Sequence, residues 1–200
     1  MAIKFQYNKT SLQDMNKQLR IRLRALPTLK NKESALRVEV KRAKDEASKL
    51  DEKLLEKMAA YEEMTSLWAE FDASLIIIKD VDLSIKKIAG VRTPVLEQIH
   101  FWIRDFSLFN NPFWYMDGIA ILKELAIIAI EHEFFVRKMN LLDHARKKTT
   151  QKVNLYEKVQ IPGYEEAVLK IKRFLEDEEN LSKSSQKIVK NRLSQMEEVA

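Results

Sequence analysis

Residues 12–71 read LQDMNKQLRIRLRALPTLKNKESALRVEVKRAKDEASKLDEKLLEKMAAYEEMTSLWAEF. Alternating steps of three and four from Leu12 visit Met15, Leu19, Arg22, Leu26, Leu29, Glu33, Leu36, Val40, Ala43, Ala47, Leu50, Leu54, Lys57, Tyr61, Met64, Trp68 and Phe71. Only Arg22, Glu33 and Lys57 break the apolar rule. A repeat averaging 3.5 residues, held over more than eight heptads, is the seam of a left-handed coiled coil. At about 1.5 Å per residue, such a helix is on the order of 90 Å long. Thr10, with Gln13 three residues on, suits a capping box at its start. Pro27 lies inside the run and costs about 3 kcal/mol in a helix interior. The register continues on both sides of it, so a kink is expected, with a helix that begins only at Pro27 as the rival.

Outward from this stretch the pattern changes. From Ser74 to about Met116 β-branched residues accumulate (Ile76, Ile77, Ile78, Val81, Ile85, Ile88) around Gly90 and Pro94. Extended runs about a glycine predict a small β-hairpin or an irregular head. Asn110, Asn111 and Pro112 mark a turn, and Asp117 is placed to cap a second long helix through Ile119, Leu122, Leu125, Ile128, Phe135 and Leu142. Ile161, Tyr164, Val168, Ile171 and Leu175 restore the seam, and Ile188, Leu193 and Met196 carry it nearly to the end. Pro162 and Gly163 interrupt this run.

Two seams joined by a small middle segment cover one another only by folding back antiparallel. The expected fold is mainly α. Residues 8–73 and 117–198 form a two-helix coiled-coil shaft, and residues 74–116 form a small head containing the hairpin. Facing residue numbers should sum to roughly 190–200, which brings Pro27 near Pro162 and predicts a shared bend.

Composition agrees. A third of the 200 residues are charged, with three glycines, four prolines and no cysteine, a profile of long helices. The lack of cysteine excludes disulfides, thiolate zinc sites and cysteine nucleophiles, and fits a cytoplasmic setting. The stretch Ile119–Ile130 contains Lys123 and Glu124 and is shorter than the roughly 20 residues a bilayer needs, so no direct membrane insertion is expected.

Chemistry-bearing constellations are missing from the sequence. No GxxxxGK[ST] loop occurs. His100, His132 and His144 are dispersed, and adjacent Glu131, His132 and Glu133 point in different directions on a helix, so no metal or cofactor is expected. The basic runs Arg20–Arg24, Lys41–Lys44 and Arg146–Lys148 are diluted by carboxylates except near the N-terminus, and nucleic acid is not the expected partner. The aromatic residues Phe101, Trp102, Phe106, Phe109, Phe113, Trp114 and Tyr115 suit a mini-core closing the head, with a partner-docking surface as the alternative.

Three stretches resemble the D subunit of the V/A-type rotary ATPases. Ile88-Ala-Gly90-Val91-Arg-Thr-Pro94-Val-Leu-Glu97 resembles that family's "iaGv.vP.le" segment. Lys152-Val153-Asn154-Leu-Tyr-Glu-Lys-Val-Gln-Ile161-Pro162 is similar to "RVNALEyv.IP", followed by Ile171, Leu175, Glu178 and a basic stretch at Lys187–Lys190. Lys9-Thr10, Leu12, Leu19, Leu29, Lys30 and Lys32 resemble the family's opening. Pro27 stands near a usual glycine, Gly163 follows the shared proline, and Leu155 and Tyr156 depart from the usual pattern.

The resemblance implies a central rotor stalk coupling ATP turnover in catalytic A and B subunits to proton or sodium transport through a membrane ring. The chain itself would be non-catalytic, peripheral to the membrane on the cytoplasmic side. A small F subunit would dock on its side, and a funnel-shaped subunit would hold the end near residues 70–120. Bearing contacts in the catalytic head are expected at Leu12, Met15, Leu19, Leu193 and Met196. A coiled-coil adaptor or tether is the alternative function.

Overall fold

The computed structural model describes residues 3–62, 65–107, 109 and 111–199, without the side chains of 65, 66 and 196–199. The chain is mainly α: two long helical stretches pack together, with a two-stranded antiparallel hairpin between them in sequence. Helix α1 is Lys9–Ala60, and the four-residue α2 is Thr65–Trp68. Strands β1 (Ile76–Ile88) and β2 (Val91–Ile103) follow. Helix α3 is Tyr115–Leu155, and a π-helical turn at Tyr156–Gln160 leads into α4, Ile161–Val199.

Helix α1 runs unbroken through Pro27, which removes the reading that it begins there. Its cap is Asn8 rather than Thr10: the Ser11 amide donates to Asn8 Oδ1 at 2.6 Å, and the Gln6 amide donates to Ser11 Oγ at 3.2 Å. The Asn side chain reaches the third helical amide from just outside the first turn. Helix α1 stops at Ala60, so Tyr61, Trp68 and Phe71 continue the numerical seam outside it; Met64 lies outside the described residues. Helix α3 starts two residues before Asp117, which sits in the first turn as a charge complementing the helix dipole rather than as the cap. Of the expected turn at 110–112, Asn110 lies outside the described residues; Asn111 Nδ2 donates to Ser107 O, and the Tyr115 amide to Pro112 O.

Two compact units are distinguished, Lys32–Lys148 and the pair Met1–Asn31 with Thr149–Ala200. In the first, Leu36, Ala43 and Ala47 of α1 and Ile119, Ile128 and Leu142 of α3 are buried. Lys57 Nζ of α1 meets Glu124 Oε1 of α3 at 2.5 Å, a link between the two helices. The hairpin turns at Ala89 and Gly90, both with positive φ (47° and 78°). This is the type I′ pattern that matches strand twist, and glycine relieves it at the second position. A Cβ on Gly90 would lie 3.4 Å from Lys32 Nζ. Each 13-residue strand spans about 43 Å, close to the rise of α1 from Ala60 back to Lys32. The hairpin therefore doubles back along α1. Its inner face holds fully buried Thr93, whose hydroxyl donates to Lys86 O at 2.9 Å and so escapes the cost of an unmade bond. Leu83 and Ile85 point to the other face.

In the second unit Val153, Ile161, Ala167, Val168 and Ile171 are buried. Arg22 Nε donates to Gln160 Oε1 at 2.7 Å, its guanidinium lies 4.3 Å from the Tyr164 ring centre, and Lys30 pairs with Glu157 at 2.6 Å. These contacts bracket Pro27, which thus lies level with the π turn that precedes Pro162. Pro162 has no N–H and its ring crowds the carbonyl four residues back. The π turn, closed by the Ile161 amide on Tyr156 O, widens the helix at that place.

Facing residues correct the expected register. Lys57 with Glu124, Arg22 with Gln160 and Lys30 with Glu157 give totals of 181, 182 and 187 instead of 190–200. The expectation assumed helix up to Phe71, whereas α1 ends eleven residues earlier. As a consequence, α4 outruns the start of α1, and residues 176–195 are exposed throughout.

The N-terminal segment lies along α4 before reversing into α1. Tyr7 packs on Phe174 at 4.8 Å between ring centres, and Ile3 Cδ1 occupies the space over Gly163.

Candidate functional site

Open apolar residues recur along the end of α4. Leu181 is 70% exposed and Leu193 56%, with Ile188 and Val189 similarly open. Ser182, Ser185, Gln186, Val189, Lys190 and Leu193 line one shallow groove along it. The next groove back is built from Lys9 and Leu12 of α1 with Lys172, Leu175, Glu176, Glu178, Glu179 and Ser182 of α4. Of the expected bearing residues, Leu12, Met15 and Leu19 are half-buried in the seam, and Leu193 is open. The side chain of Met196 lies outside the described residues.

The other residues singled out in the sequence fall at two places. Ile88, Gly90, Val91 and Pro94 make the hairpin tip, where Ile88 pairs with Val91 and Pro94 with Ile85. A proline is tolerated in β2 because a two-stranded sheet leaves one side of each strand free of ladder bonds. Val153 and Ile161 are buried, while Asn154 and Pro162 face outward around the π turn.

The aromatic residues divide between a packed cluster and open surface. Phe106, Trp114 and Tyr115 pack with Trp68 and Phe71, at ring-centre distances of 5.1–6.3 Å. Gly118 belongs to this cluster, since a Cβ there would sit 2.9 Å from Trp114 Cζ3 and 3.0 Å from Phe71 Cε2. Phe109 and Phe113 stay outside it, 100% and 92% exposed. Sequence reading missed Trp68 and Phe71 as members, because their place in the seam assigned them to the shaft.

The titratable groups form solvated pairs. The Lys147 and Arg146 side chains hold Asp143 below the usual carboxylate range, and the Ser74 hydroxyl and amide lower Asp72. The Glu124 carboxylate raises Lys57. His100 Nε2 lies 2.7 Å from Asp82 Oδ2 on an open strand pair. Among the described residues no group of three or more His, Asp or Glu side chains is placed to hold a metal. Nor is any helix among them long and apolar enough to cross a membrane.

A pair of long helices with a β-hairpin between them in sequence, an uncovered amphipathic helix end and exposed aromatic residues make a mainly α class of fold. Comparison narrows the class. The family model for the ATP synthase D subunit matches residues 11–191. The V-type ATP synthase D subunit of Chlamydia muridarum is 28% identical over 99% of this chain and 100% of its own. That of Borreliella burgdorferi is 30% identical over 95% of both chains. The chain belongs to the family of V-type ATP synthase D subunits.

Proposed function

We propose that this chain is the central rotor axle of a V/A-type rotary ATPase, non-catalytic itself and coupling ATP turnover to proton or sodium movement. Residues 8–73 and 117–198 serve as its shaft; of residues 74–116, the hairpin lies along α1 and the aromatic end that follows it faces the membrane. The observation that carries the reading, beside family membership, is the helix α4 end that leaves Leu181, Ile188, Val189 and Leu193 uncovered. Burying such a side chain is worth about 1.5–3 kcal/mol, which favours a surrounding apolar sleeve. The catalytic A and B subunits supply it. The small F subunit docks on the side of the helix pair. The funnel-shaped subunit above the membrane ring takes the end bearing Phe109 and Phe113. The assembly sits on the cytoplasmic face of the membrane.

The mechanism follows from asymmetry. A single chain inside a threefold ring makes different contacts with each catalytic interface. Each contact set favours one open or closed state, and turning the axle shifts the three sites in sequence. Nucleotide binding pushes back through the same contacts, because coupling between sites is reciprocal.

Native mass spectrometry after co-expression with the A, B and F subunits of the same source tests the assignment. A complex of three A, three B, one F and one copy of this chain is expected. A homodimer of this chain beside an assembled A/B ring would instead make it an adaptor or tether. Joint alanine substitution at Leu12, Met15, Leu19, Leu193 and Met196 is expected to lower the ions moved per ATP in the assembled complex.

A further inference from the structure

We infer that the face of α1 carrying Lys17, Arg20 and Arg24, together with Lys172 of α4, is a docking track for an acidic segment of the catalytic ring; the inference rests on the axle reading. At about 100° per residue the three α1 cations fall within about 60° of one another. They line a single groove with Lys172, Gln13, Asn16 and Ile21. Four cations thus converge from two helices on one surface.

None of the four has a carboxylate within ion-pair distance among the described residues. Other cations of the same unit are committed. Arg22 is held by Gln18, Gln160 and Tyr164, Lys30 by Glu157, and Lys170 by Glu166. Between residues 9 and 31 the only carboxylate is Asp14, against six cations. Like charges around one groove repel in the isolated chain, and an acidic partner relieves that repulsion.

The shape of the charge favours an acidic protein segment over a nucleic acid. Just beyond Lys172 on the same helix lies the acidic run Glu176, Asp177, Glu178 and Glu179. A long polyanion tracking the groove would meet that run, whereas a short acidic loop or helix end fits the cationic stretch alone. Ile21 is the sole apolar lining residue, so the contact is electrostatic rather than a hydrophobic anchor. Such a contact tolerates displacement and is screened over about 8–10 Å at physiological salt, which suits a surface that must release each ring position in turn.

The test uses the full chain with the A/B ring of its own source. Affinity is measured for wild type, Arg20→Gln with Arg24→Gln, and Arg20→Glu with Arg24→Glu, at about 50 mM and about 300 mM salt. The charge reversal is expected to weaken ring binding about tenfold or more at low salt and about threefold or less at high salt, with the Gln pair between. Helix content by circular dichroism should be unchanged. If the reversal unfolds the chain, the Gln pair and the salt slope of the wild type decide by the same criterion. Normal wild-type assembly with variants that bind equally at both salts would overturn this inference and leave the axle reading standing. Failure of the wild type to bind the ring would remove both. Binding of a random-sequence DNA duplex by the wild type as tightly as the ring would overturn the inference in favour of a nucleic-acid surface.

Discussion

Helix α4 has two halves of opposite fate. From Ile161 to Leu175, Ile161, Ala167, Val168 and Ile171 are buried against the chain's own partners. From Glu176 to Gln195 every described side chain is exposed, although Leu181, Ile188, Val189 and Leu193 recur at helical spacing. The difference lies in what stands opposite: α1 begins at Lys9, and nothing of this chain covers α4 beyond that level among the described residues. The first half therefore holds the fold, and the second leaves its apolar side uncovered among the described residues.

Substitution in the two halves separates these roles. Ile171→Ala empties a fully buried position and should cost about 2–5 kcal/mol in urea unfolding. Leu193→Ala should change the same quantity by less than about 0.5 kcal/mol. Equal costs would mean that the end of α4 is covered in solution.

The helical glycines offer a smaller version of the contrast. At Gly118 an added methyl meets two packed aromatic rings, and Gly118→Ala should cost about 1–3 kcal/mol. At Gly163 the obstacle is the flexible end of Ile3, 3.0 Å away. The gain in helix propensity, up to about 1 kcal/mol, should dominate there, so thermal melting should show Gly163→Ala at or slightly above wild type. A large loss at Gly163 would show that the N-terminal segment is tightly fixed over α4.

The smallest effect is electrostatic. Lys147 and Arg146 depress the Asp143 carboxyl, so its contribution is present above the unfolded value near about 4 and is lost as the pH falls through the lower folded value. Asp143→Asn should remove that part of the acid sensitivity, leaving a flatter stability curve below about pH 4. An unchanged curve would show that the pairs are fully screened by solvent.

Much of the fold was legible in residues 12–54, where a 3.5-residue repeat has one structural meaning. The hairpin was legible at Gly90, because extended runs about a glycine need a tight turn. The register was not. Periodicity continues numerically through Tyr61, Trp68 and Phe71, although the helix stops at Ala60 and the last two of these close an aromatic cluster. Nor does a seam reveal whose surface will cover it: Ile171 and Leu193 look alike in sequence, and only the offset between α1 and α4 separates them. Phe109 and Phe113 were equally hidden, since composition counts aromatic residues without saying which way they face.

The most direct test of the axle account is the ratio of ions moved per ATP in the reconstituted complex carrying a chain truncated before Leu181. The account predicts an unchanged unfolding midpoint for the truncated chain and a loss of coupling, with hydrolysis continuing in the ring. Full coupling without residues 181–200 would contradict it.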